Sequence, residues 1–285
     1  MKYGIIDVGS NSVRLLIAED GKTIKKIIKT TRLAKGIKDG LLDRQSSLRT
    51  LNAIKEFVAE AKTANTDEIY AFATAAVRGA ENGSEFAETV KVECGVPLEI
   101  LSGEQEAETG YAGALKGRDG AVLDIGGGST EIGVVVGGKC VYAKSLPIGA
   151  VVLTEKFGQD SEKILAFVRE TVKEYGTVPK SDFYCIGGTV TSLAAISLKL
   201  GIYDAEKVDG YKLTIKEIVR LEREISALSV QSRKTIPSLQ PERADIIHAG
   251  ACILRAVSEY VGAEYFTVSE SDNLEGYLSY KTEKK

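Results

Sequence analysis

Two aspartates, Asp7 and Asp124, stand 117 residues apart, and each follows an apolar run and precedes a turn of small residues. The first turn reads Gly9-Ser10-Asn11-Ser12 and the second Gly126-Gly127-Gly128-Ser129-Thr130. Turns without bulky side chains let backbone N–H groups point at one anion, so both suit the cradling of phosphate. An aspartate at the lip of each turn adds a hard oxygen ligand for a divalent cation. The correspondence extends further: IIDVGSNSVRLLIAEDGK (5–22) is echoed by VLDIGGGSTEIGVVVGGK (122–139), ending in Gly-Lys both times. A strand, a short turn and a second strand form the pattern of a hairpin. One long unit repeated in register predicts two similar halves rather than a short-period solenoid. Two such hairpins facing each other would line a cleft, with amides and one carboxylate on each wall.

Glu106 lies in SGEQEA (102–107), where a strand gives way to a helix, the end of an α/β sheet at which ligands bind. Glu104 points elsewhere on such a helix, so only one of the pair faces a shared cleft. An acid at a helix start also has a purely local explanation in the helix dipole. The two aspartates favour the chemical reading. Phosphoryl transfer to water needs a proton acceptor beside the attacking oxygen and cations near the departing charge. IGGTVTS (186–192) is a third glycine turn, suited to an anion or nucleoside at a helix start, or simply to close strand–helix packing. Neither a Walker-type loop nor a Gly-x-Gly-x-x-Gly fingerprint occurs. The single histidine, His248, sits in the apolar helical pattern ADIIHAGACILRAV and reads as a core residue. A Ser-His-Asp triad could be built only through it, so acid–base work falls to carboxylates.

The elements that must position these groups follow from periodicity. A strand over Ile24–Lys29 precedes a helix in RQSSLRTLNAIKEFVAEAK, with Leu48, Leu51, Ile54, Phe57 and Val58 inward. A buried strand then runs into a loop holding Arg78. The second half repeats the order, with a helix from Asp160 to Tyr175 burying Ile164, Phe167, Val168 and Val172. Thr214 is the expected N-cap of the helix that follows it, and Pro241 suits the first turn of a long helix ending near Val261. Each half is thus an α/β domain with a mixed sheet, and the boundary near Gly117 reads as a hinge. A net charge of −3 gives no pull toward nucleic acid or an anionic membrane. The start runs directly into a strand, so no signal peptide is expected, and no run of ~18 apolar residues predicts a membrane span. Cys94, Cys140, Cys185 and Cys252 lack ligand spacing and read as reduced core residues of a cytoplasmic protein.

With these residues in hand, the chain resembles the Ppx/GppA phosphatases, the exopolyphosphatases and guanosine pentaphosphate phosphohydrolases of the actin/sugar-kinase/heat-shock ATPase superfamily. DVGSNSVRLLI is similar to the family's first phosphate motif and LDIGGGSTEIGVV to its second. ATAAVRGAEN resembles the segment carrying a substrate-channel arginine, here Arg78, and LSGEQEA the segment carrying the catalytic glutamate, here Glu106. SLPIGAVVLTEKF, IGGTVTSLAAI and PERADIIHAGACIL are also similar to family segments. The resemblance implies two ribonuclease-H-like domains, 1–117 plus about 274–285 and 118–273, with an active site in the cleft between them. It implies a Mg²⁺-dependent hydrolase (another divalent cation would serve the same ligands) that releases terminal phosphate from polyphosphate or pppGpp. Asp7 and Asp124 would hold the metal and Glu131 assist there. Gly9, Ser10, Asn11, Ser12, Gly126, Gly127, Gly128, Ser129 and Thr130 would contact phosphates, Arg78 would bind distal ones, and Glu106 would activate water. Neither nucleic acid nor membrane is an expected partner, and a homodimer is a possible assembly.

Three departures from the family pattern weaken processive digestion of long polyphosphate and favour short chains. Glu108 stands where an arginine is usual, Asn273-Leu274-Glu275-Gly276 replaces Leu-Arg-Glu-Gly, and the sequence stops at Lys285 without added helical domains. Two rival readings keep the same phosphate turns: an ATP-dependent kinase or ATPase of the superfamily, and a non-catalytic (p)ppGpp-binding regulator.

Overall fold

The computed structural model describes residues 1–37 and 39–283. Contacts gather the chain into two compact units, Met1–Gly113 with Asn273–Lys285, and Ala114–Asp272. The helices of the first half are α1 (Arg44–Thr63), α2 (Ala75–Arg78), α3 (Gly83–Cys94) and α4 (Gly103–Leu115). Those of the second are α5 (Ala150–Phe157), α6 (Ser161–Thr171), α7 (Gly188–Ser197), α8 (Ala205–Val208), α9 (Ile215–Ala227), α10 (Val230–Arg233) and α11 (Ile247–Val261), and α12 (Asn273–Glu283) returns to the first unit.

In the first unit β1 (Lys2–Val8), β2 (Ser12–Glu19) and β3 (Lys22–Thr30) form an antiparallel meander. β4 (Glu68–Ala73) and β5 (Leu98–Ile100) add in parallel on the other side of β1, giving the order β3-β2-β1-β4-β5. Every residue of β1 after Lys2 is buried, because the sheet is covered on both faces. Tyr3 and Ile5 share a core with Leu274, Tyr277 and Leu278 of α12. On the opposite face α1 approaches so closely that a Cβ at Gly4 would lie 3.0 Å from the Cβ of Ala61. α12 in turn crosses α4 backbone to backbone: a Cβ at Gly276 would lie 1.7 Å from the Thr109 carbonyl oxygen.

The second unit repeats that order as β8-β7-β6-β9-β11 and adds one edge strand. Its meander is β6 (Gly120–Ile125), β7 (Thr130–Val136) and β8 (Lys139–Leu146). β9 (Phe183–Ile186) and β11 (Tyr265–Val268) run parallel, and β10 (Lys212–Thr214) closes the edge antiparallel to β11. Ala121, Leu123 and Ile125 of β6 pack with Phe183, Cys185, Phe266, Val268 and the apolar face of α11. Alternation therefore turns Val122 and Asp124 to the other face of this sheet. Among the described residues no helix is long and apolar enough to cross a membrane.

Local signals hold where a short-range bond enforces them. Thr214 caps α9 in a reciprocal box with Glu217, and the Asp43 carboxylate accepts from the Ser46 amide at the start of α1. Several details depart from the sequence reading. Leu48 is 56% exposed, because close packing of α1 on β1 selects a stripe that includes Ser46, Thr50, Ala53 and Ala61, with Leu48 on its flank. Phe167 is only half-buried, its ring against Phe157, and the helix expected to run to Tyr175 tightens into a 3₁₀ turn over Val172–Tyr175. Pro241 opens a separate 3₁₀ turn, and α11 begins only at Ile247. The carbonyls of Ala244 and Asp245 accept from the side chains of Arg233 and Gln159 instead of continuing a helix. Arg78 lies on a short helix rather than in a loop, and Cys140 is exposed on β8 while the other three cysteines are buried.

Candidate active site

In the first unit Asp7 lies near the carboxyl end of β1, the sheet's central strand, and the Gly9 amide donates to the Ser12 carbonyl at 3.0 Å to close the turn. The carbonyls of Ser10 and Asn11 accept from the amides of Thr31, Arg32 and Ala34, which pins the turn from behind. Among the described residues the amides of Ser10 and Asn11 find no protein acceptor, and the buried Asn11 Oδ1 finds no donor. Asp7 is buried and accepts from Arg14 Nε at 2.8 Å, the residue directly across from it on β2.

Glu106 is set by a reciprocal cap. The Ser102 hydroxyl accepts from the Gln105 amide at 3.1 Å, and the Gln105 side chain accepts from the Ser102 amide at 2.9 Å. That start to α4 turns Glu106 inward, 7% exposed, and leaves Glu104 in solvent. Arg78 Nη1 donates to Glu106 Oε2 at 2.6 Å and to the Leu101 carbonyl at 3.0 Å. Burial pushes the Glu106 carboxyl above the usual carboxylate range; Arg78 and a Thr74 hydrogen bond oppose the rise, and the Asp7 charge adds to it. Asp7, Arg14, Arg78 and Glu106 thus form one cluster of two carboxylates and two guanidinium groups at the strand tips.

In the second unit the Gly126 amide closes its turn on the Ser129 carbonyl at 3.0 Å, and the carbonyls of Gly126 and Gly127 accept from the first amides of α5. The amides of Gly127 and Gly128 have no acceptor among the described residues. Asp124 pairs across the strands with Glu131, and both are buried. Glu131 accepts from the Ser145 hydroxyl at 2.6 Å. Thr130 is fully buried and its hydroxyl donates to the Ile148 carbonyl, which gives it to the hairpin and leaves Ser129 as the hydroxyl at the turn. Gly187, with φ +95°, presses on this carboxylate: a Cβ there would lie 3.0 Å from Asp124 Oδ1. A Cβ at Gly188 would lie 1.9 Å from Arg243 Nη1, so a guanidinium lies against the third glycine turn.

Sequence reasoning missed Arg14 and Arg243. Arg14 was within reach, because the 117-residue offset lays it on Glu131. The two turns therefore differ electrostatically: one aspartate faces a cation across the strands, the other faces an acid. Paired buried carboxylates with only oxygen donors fit a hard divalent cation whose remaining ligands are water or substrate. Among the described residues no three His, Cys, Asp or Glu side chains gather to hold a metal unaided.

The model of the Ppx/GppA phosphatase family matches residues 16–284. The chain belongs to the Ppx/GppA phosphatase family. It is 32% identical to a bifunctional 3-dehydroquinate synthase/phosphatase of Fusobacterium nucleatum, over 98% of this chain but only 46% of that protein. It is 29% identical to exopolyphosphatase 2 of Mycobacterium tuberculosis, over 96% of this chain and 97% of the relative. The crystal structure of an Aquifex aeolicus Ppx/GppA family member superposes with a TM-score of 0.83 at 32% identity, covering 100% of this chain and 98% of the other. This member of the Ppx/GppA family has the α/β, ribonuclease-H-like strand order in both units. The resemblance had implied that fold class.

Proposed function

We propose that the protein is a divalent-metal-dependent phosphoanhydride hydrolase that releases terminal phosphate from inorganic polyphosphate, with short chains favoured, or from pppGpp. The observation that carries this reading is Glu106: a buried carboxylate with a raised pKa, fixed by Arg78 in the same cluster as Asp7. A base poised nearer neutrality takes a proton from water more effectively than an ordinary surface carboxylate. The exopolyphosphatase relative supports the same substrate class.

In this mechanism the amides of Ser10, Asn11, Gly127 and Gly128 receive phosphate oxygens without rearranging, because the backbone around them is already bonded elsewhere. Glu106 orients one water and accepts its proton as the oxygen attacks the terminal phosphorus. The phosphoanhydride P–O bond breaks, and the shortened chain departs. Arg78 holds the base and offers its remaining N–H donors to a phosphate oxygen. Asp7 at the first turn, and Asp124 with Glu131 beside it at the second, are the carboxylates that would face a divalent cation; a bound Mg²⁺, its shell completed by water and substrate, would supply positive charge against the phosphate oxygens.

The test is phosphate release from tripolyphosphate, long polyphosphate, pppGpp and ATP, each with Mg²⁺ and with EDTA. Release from the first three that stops in EDTA is expected. Hydrolysis of ATP alone, or tight pppGpp binding without release, would overturn the assignment.

A further inference from the structure

The second unit contains a cavity of about 310 Å³ on the sheet face opposite its main core. Tyr184 and Thr267 pair in register on β9 and β11 and point to that face, with Tyr265 two residues along β11. Lys116, Arg118 and Lys212 stand around it. Two of these cations sit over tyrosine rings: the Arg118 guanidinium is 5.0 Å from the Tyr184 ring centre, and the Lys212 ammonium is 4.4 Å from that of Tyr265. Arg118 is tethered further by its Nε, which donates to the Leu115 carbonyl at 3.0 Å. Among the described residues none of the three cations is in an ion pair. Asp182 and Asp209 also line the cavity, and Asp209 is engaged with the Glu270 amide at 2.9 Å.

Three cations and two acids leave the cavity net positive. Cations held on aromatic faces have little freedom left to lose, so an anion that bridges several of them gains attraction at small entropic cost. An anion whose charge is spread over several phosphate groups can reach more of these cations at once than a single-charge ion can. We propose that this cavity binds short inorganic oligophosphate. The anion could come from two sources, free in solution or as the far end of a chain held at the carboxylates. Binding here requires no hydrolysis, so it goes beyond the function proposed above and survives that proposal's failure.

The experiment is calorimetric titration of Glu106→Gln protein with tripolyphosphate at low salt, repeated after adding Lys116→Ala and Lys212→Ala. Both lysines are exposed, so their removal leaves the core intact. Two classes of site are expected, one of them lost in the lysine double variant and weakened by added salt. Loss of that class with unchanged KM for polyphosphate in the otherwise wild-type enzyme assigns the site to free anion. A KM increase confined to long chains assigns it to the far end of the substrate. An isotherm that the double variant leaves unchanged would overturn the proposal, as would GTP competing fully for the lysine-dependent class.

Discussion

His248 offers a prediction whose size follows from its surroundings. Its ring is fully buried, and Nε2 bonds the Gly158 carbonyl at 3.1 Å. Burial, reinforced by the nearby Arg233 charge, holds its pKa down at about 4 against an ordinary 6.5. The folded state therefore keeps the ring neutral, while the unfolded chain takes up a proton below pH 6.5. Stability from this residue is complete above that pH and is lost as pH falls toward 4, by about 1.4 kcal/mol per pH unit. Across the interval from pH 7.5 to 4.5 the wild-type protein should lose roughly 2–3 kcal/mol that a His248→Gln variant does not. Urea unfolding of the two proteins at matched pH values, following the transition of the second unit, isolates the difference, since all other titrations are shared. Parallel decline of both proteins would mean that His248 is not held neutral in the folded state.

Other expectations concern the carboxylates. Glu106→Gln should reduce turnover by about 10²–10⁴-fold while substrate still binds, and Glu104→Gln should behave as wild type; the reverse result would exchange their roles. Asp124→Asn should raise the Mg²⁺ concentration needed for half-maximal activity. Asp7→Asn should also cost about 1.5–3 kcal/mol in unfolding free energy, because Arg14 loses its charged acceptor. A metal titration and a urea titration of each variant separate the two effects. Arg78→Ala removes a cation that pulls the Glu106 pKa down, so the acid limb of the kcat profile should move to higher pH. Activity lost near neutrality should then return in more alkaline buffer, and a loss of equal size at every pH would confine Arg78 to substrate binding.

What the sequence made legible was local or periodic. The repeated hairpins needed only a self-comparison; Glu106 was preferred to Glu104 by resemblance to the family's glutamate segment, and the cap within Ser102 to Gln105 is the physical reason it turns inward. The turns' free amides follow from the same short segments. What could not be read depends on pairing across distance. Arg78 reaches Glu106 over 28 positions, so its engagement with the base rather than with solvent was hidden. Arg233 reads as an ordinary surface cation, yet it is 1% exposed and bonded to Gln159, 74 positions away. Leu48 satisfies an apolar period, but how closely a helix approaches a sheet is decided by the small residues of both, and only the packed structure shows which stripe was chosen.

The helix that covers one face of the first sheet is supplied by the segment from Asn273 onward, while the second unit is continuous in sequence. On a ribosome the two therefore have different schedules. The first unit's strands are made early, but the Tyr3–Ile5 face remains uncovered until all of Ala114–Asp272 has been synthesised, roughly 8–30 s at about 5–20 residues per second. The second unit needs no later segment, so its core can close once its own last strand, β11, has been made. The apolar face of β1 and β2 is thus the surface of the nascent chain most in need of a chaperone, and Gly276, where α12 meets α4, is a contact that forms among the last.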